Sequence, residues 1–135
     1  MNQFKEVVDR TESLYLAQKE KYGSLQRKDW KRWSALQKEE QLLMYDLEQA
    51  IKTMKTMLGN HSLSDYENTE DLGERELFMA CQRRAIHFDR ELKNITTQCE
   101  RLMEGYATTE RIKLEAFQKV AQQQEGQVSL FNHKY

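Results

Sequence analysis

Residues 78–106 read FMACQRRAIHFDRELKNITTQCERLMEGY, and within them Phe78, Cys81, Ala85, Phe88, Leu92, Ile95, Cys99, Leu102 and Tyr106 recur at alternating steps of three and four. That spacing keeps one stripe of a helix turned toward a partner helix. No polar group interrupts the nine positions, so the stripe reads as a packing seam and not as a catalytic box. The fold class is therefore all-α, an elongated antiparallel bundle of three to four long helices with coiled-coil-like packing.

Composition agrees. The 135 residues include no proline and only 5 glycines, while 32% are charged, so the strongest helix breakers are absent or rare. A hydrophobic share of 39% suits thin helices that each bury one face, in a chain the length of a single domain. The 21 basic and 22 acidic residues are interspersed, and the densest basic cluster, Lys28, Lys31 and Arg32, runs straight into Glu39 and Glu40. A phosphate-tracking surface needs a basic face, so nucleic-acid binding is not expected. No apolar run approaches the roughly 20 residues of a membrane span, and the first ten residues hold Lys5, Glu6, Asp9 and Arg10, so neither a membrane segment nor a secretion signal is expected. The expected location is the cytoplasm.

Outward from the seam, periodicity predicts a first helix over 2–26, with Phe4, Val7 or Val8, Thr11, Leu14, Tyr15, Gln18, Tyr22 and Leu25 on its inner stripe. Asp29 is placed to cap a second helix over 29–58, whose seam is Trp33, Leu36, Glu40, Leu43, Leu47, Ala50, Met54 and Met57. The short turn between them requires an antiparallel hairpin. Polar, turn-forming residues fill a loop over 59–72, and Asp71 or Thr69 is placed to cap the third helix, predicted over 71–104. Past Tyr106 the seam position at 113 is lysine, and the apolar set moves to Ile112, Leu114, Phe117, Val120 and Ala121. With Gly105 costing about 1 kcal/mol inside a helix, the reading places a break there and a fourth helix over 106–124, then a flexible tail over 126–135.

No catalytic, metal or cofactor site is expected. A di-metal centre in a helical bundle would need Glu-x-x-His pairs, and His61, His87 and His133 are preceded at that offset by Leu58, Arg84 and Leu130. Cys81 and Cys99 lie on the buried stripe, about 27 Å apart on a continuous helix, too far for a disulfide. The five glycines are scattered, so no phosphate-cradling loop exists. The candidate residues are instead partner contacts: Trp30 and Trp33, crowded into the first turn of a helix; Met54 and Met57, on a methionine-bearing face; and Phe117, Val120, Leu130 and Phe131 near the C-terminus. Against this stands a plainer assignment, in which the tryptophans plug the end of the first hairpin and the methionines fill the core.

The run from Gln18 to Gln26 into Arg27-Lys28-Asp29-Trp30, followed by Trp33, Leu36, Glu39-Glu40 and Leu43, resembles the start of the flagellar export chaperones of the FliT and FlgN type. The resemblance covers about residues 10–50. It implies a small, cytoplasmic, helical protein that holds a filament-cap or hook-associated protein by a helical segment and keeps it soluble for export, with no chemistry of its own. The third helical region is longer than the family leads one to expect. An alternative from the residues alone is a structural coiled-coil protein that homodimerises through its long third helix.

Overall fold

The computed structural model describes residues 1–133, with side chains described through Gln123. The tail expected as flexible over 126–135 is instead helical as far as His133, while residues 134–135 and the side chains of the candidates Leu130 and Phe131 lie outside the described residues. The chain is all-α: α1 (Asn2–Gln26), α2 (Trp30–Leu58), a short 3₁₀ helix (Leu63–Asn68) and α3 (Leu72–His133). Its contacts divide it into two units, Met1–Cys99 and the part from Glu100 onward.

In the first unit, α1 and α2 form the expected antiparallel hairpin. The reversal between them is a Schellman turn: Lys28 N–H donates to the Leu25 carbonyl at 3.1 Å and Asp29 N–H to the Ser24 carbonyl at 2.9 Å. The position that usually takes glycine is Lys28, held at φ 55°. Asp29 then caps α2, its Oδ1 accepting from Arg32 N–H at 3.1 Å. The two helices are tied by Lys21–Glu40 at 2.9 Å and Arg10–Asp46 at 3.3 Å. Glu40, a charge on the α2 seam, is thereby explained: it and Lys21 face each other with side chains only 17% exposed.

The first part of α3 runs parallel to α1. Successive contacts climb both helices together: the Phe4 and Phe78 rings at 5.7 Å, Arg84 with Asp9 and Glu12 at 2.9 and 2.7 Å, the Tyr15 and Phe88 rings at 5.9 Å, and Thr96 with Gln18 at 3.1 Å. Phe4, Val8, Phe78 and Cys81 make the buried cluster, with Met54, Ala85 and Phe88 packed on it. Leu25, Leu36 and Ser24 have no exposed surface, and the Ser24 hydroxyl donates to the Lys21 carbonyl at 2.7 Å, so its burial leaves no polar atom unmet. All seven seam positions from Phe78 to Cys99 are buried or half-buried, while Met79 and Ile86 between them face outward.

Two further expectations need correction. The segment 59–72 is not a featureless loop: it holds the 3₁₀ helix, started by Ser62, whose N–H donates to Asp65 Oδ2 at 3.0 Å. This turn sends Leu63 and Tyr66 onto the core, Tyr66 stacking on Phe78 at 6.1 Å. Asp71 does cap α3, accepting from Glu74 N–H at 3.2 Å. The second correction concerns Gly105. No break occurs there and no separate helix begins at 106, because α3 is assigned continuously across it. The physical reason is a weak breaker among strong formers: glycine's cost of about 1 kcal/mol is small against the surrounding Leu102, Met103, Glu104 and Ala107. A Cβ at Gly105 would meet nothing, so the glycine answers to neither a turn nor a close approach.

In the second unit the residues whose side chains are described, 100–123, are helical. Only Leu102, Tyr106 and Ala121 among them are half-buried, and Met103, Ile112, Leu114, Phe117 and Val120 are exposed. No helix among the described residues is long and apolar enough to cross a membrane.

Candidate protein-binding surfaces

The tryptophan pair divides into an inner and an outer ring. With Asp29 capping the first turn, Trp33 falls on the α2 seam, half-buried, and Lys21 Nζ sits 5.1 Å from its ring centroid. That ammonium is the same one that pairs with Glu40, so ring, cation and carboxylate form one cluster between α1 and α2. Trp30, one turn earlier, is 51% exposed and meets Trp33 edge-on at 6.5 Å. Trp33 thus plugs the hairpin, and Trp30 is the more exposed ring of the two.

The methionine pair divides in the same way. Met54 packs on the Phe4–Phe78 cluster, as core, whereas Met57 is 64% exposed beside His61, Tyr66 and the 3₁₀ turn. Trp30 and Met57 lie 27 residues apart on α2, about 40 Å at 1.5 Å per residue, so they cannot belong to one small site. Two grooves of the first unit mix polar and apolar side chains: the one between α1 and α2 is lined by Glu6, Arg10, Asp46, Gln49, Ala50 and Thr53, and the one between α1 and α3 by Tyr15, Lys19, Tyr22, Glu91, Ile95 and Gln98.

Charge in the first unit serves cohesion. Hydrogen bonds that its guanidinium donates to Asp9 and then to Glu12 raise Arg84 above its ordinary pKa, and one donated to Glu20 does the same for Arg32. Among the described residues no three His, Cys, Asp or Glu side chains converge as metal ligands, and Cys81 is buried among Phe4, Val8 and Phe78.

The second unit holds the remaining candidates. Phe117 is 72% and Val120 51% exposed, and Met103 and Leu114 share their helix face with Tyr106, since the five positions fall within about 120° of arc at 100° per residue. Ile112 points the opposite way. Sequence reasoning passed over two outward-facing residues, Leu42 and Tyr45, both exposed on α2. Their spacing of three is the available signal, masked by the adjacent seam residue Leu43. Compared with protein families, with curated proteins and with solved structures, the chain matches none.

Proposed function

We propose that this chain is a non-catalytic, cytoplasmic holding protein that binds an amphipathic helix of a partner polypeptide along residues 103–120 of α3. The observation that carries the reading is the exposed apolar face of Met103, Leu114, Phe117 and Val120. An isolated apolar residue on a surface is ordinary, but a stripe more than 100° wide on one helix gains by being covered. Helix against helix is the mode that matches its spacing. The resemblance of residues 10–50 to flagellar export chaperones narrows the partner to a secreted flagellar component of the filament-cap or hook-associated kind.

The test is affinity capture with the full chain from extracts of its native cell, beside the double variant Phe117→Asp, Val120→Asp. Retention of a flagellar export substrate by the wild type and its loss with the variant is the expected result. Equal capture by both, or no flagellar protein with either, refutes the reading.

A further inference from the structure

The same face of α3, on which Tyr106 is half-buried and the other members are exposed, contains a second pattern. Met103, Tyr106, Glu110, Lys113, Phe117 and Val120 follow one another at steps of three, four, three, four and three, an unbroken coiled-coil seam whose two central positions are charged. The pattern is the same in character from either end: two apolar residues, a charge, the opposite charge, two apolar residues. Within one chain Glu110 and Lys113 lie 3.6 Å apart, both well exposed.

We propose that this seam is closed by the same seam of a second copy of the chain, running antiparallel; the proposal rests on reading residues 103–120 as a binding face. In antiparallel coiled-coil register Met103 faces Val120, Tyr106 faces Phe117 and Glu110 faces Lys113, each pair occurring twice about the dyad. Parallel pairing would set Glu110 against Glu110 and Lys113 against Lys113 in the middle of the seam. Sliding one antiparallel copy by a heptad sets Met103 against Lys113 and Tyr106 against Glu110, or Glu110 against Val120 and Lys113 against Phe117, and so buries charges without partners. One arrangement satisfies every position. The wider charge distribution agrees with it: Glu100, Glu104 and Glu110 outweigh Arg101 to leave −2 on one half, and Arg111, Lys113 and Lys119 outweigh Glu115 to leave +2 on the other. Antiparallel pairing lays the acidic half of each copy on the basic half of its partner. Ala107 and Ala116 flank the seam and let the helices approach.

The experiment is sedimentation equilibrium of the full chain from micromolar concentration to about 0.5 mM, a range set by the short length of the contact. The wild type is expected to form dimers. Glu110→Lys and Lys113→Glu, both at exposed positions, are each expected to weaken association by about tenfold or more, because each places like charges across the seam. The double variant E110K/K113E is expected to restore it. A wild type that stays monomeric throughout, or dimers indifferent to the single charge reversals, overturns the proposal. A fluorescein-labelled synthetic amphipathic helix of leucine, glutamate and lysine separates the two readings. A monomer that binds this peptide through Phe117 leaves the binding face standing without the self-pairing. A monomer that does not bind it overturns both.

Discussion

Phe78 and Phe117 lie on the same helix, yet their replacement by alanine is expected to have opposite outcomes. Phe78 is 3% exposed and packs between the rings of Phe4 at 5.7 Å and Tyr66 at 6.1 Å, with Val8 and Cys81 beside it. Truncating a buried phenylalanine removes its transfer free energy and leaves a cavity, together about 3–5 kcal/mol. The two ring pairs add about 0.5–1.5 kcal/mol each beyond their area and place Phe78→Ala toward the upper end. Phe117, 72% exposed, has little to lose, and Phe117→Ala is expected to stay within about 0.5 kcal/mol. Urea unfolding followed by tryptophan fluorescence measures the cost of Phe78→Ala, because both tryptophans belong to α2 in the first unit, and the cost of Phe117→Ala is read from the helical signal of the whole chain. Far-UV circular dichroism, which sums all helices, provides the comparison. A cost below about 1 kcal/mol for Phe78→Ala, or above about 2 kcal/mol for Phe117→Ala, would refute the division of α3 into a packed part and a presented part.

Three further outcomes follow from the hairpin and its edges. Lys21→Met should destabilise by about 1–3 kcal/mol in thermal melts, since it leaves the seam carboxylate of Glu40 uncompensated, while the double variant Lys21→Met, Glu40→Leu should recover most of the loss. Lys28→Gly should raise stability by about 0.5–1 kcal/mol in the same melts, because a side chain at φ 55° carries strain that glycine does not, less the extra freedom glycine gives the unfolded chain. Arg84→Ala should cost no more than about 1 kcal/mol in urea titrations at low salt, and less at high salt, because the guanidinium and its two carboxylates are more than a third exposed.

The helical seams were legible because burial and periodicity coincide. The α3 seam up to Cys99, the Asp29 and Asp71 caps and the bounds of α1 could all be read from residue spacing. Ala17 and Ser24 could not, since small residues carry no hydrophobic signal, and only close approach of the helices buries them. The 3₁₀ turn lies inside a polar stretch, although Ser62-x-x-Asp65, with Leu63 inside it and Tyr66 directly after it, is a capping pattern with apolar residues attached. Gly105 misled in the other direction, since its cost was weighed singly and not against its neighbours. Of the candidate contacts, sequence spacing alone could not tell Trp30 from Trp33 or Met54 from Met57. Each pair straddles the edge of a seam, and three residues along a helix is the difference between core and solvent.

The parallel pairing of α1 with α3 sets an order of events during synthesis. Contacts within the hairpin, such as Lys21 with Glu40, span 19 residues, whereas Arg84 reaches back 75 residues to Asp9. Closing the first loop is the smaller entropic step, and its pieces emerge first. At about 10 residues per second, a nascent chain that has completed α2 waits roughly four seconds before α3 is made as far as Cys99. Through that interval Phe4 and Val8 have no Phe78 or Cys81 to meet. The N-terminal hairpin of this protein therefore spends its first seconds as an unfinished sandwich, and whatever attends it on the ribosome meets an apolar face that the completed fold conceals.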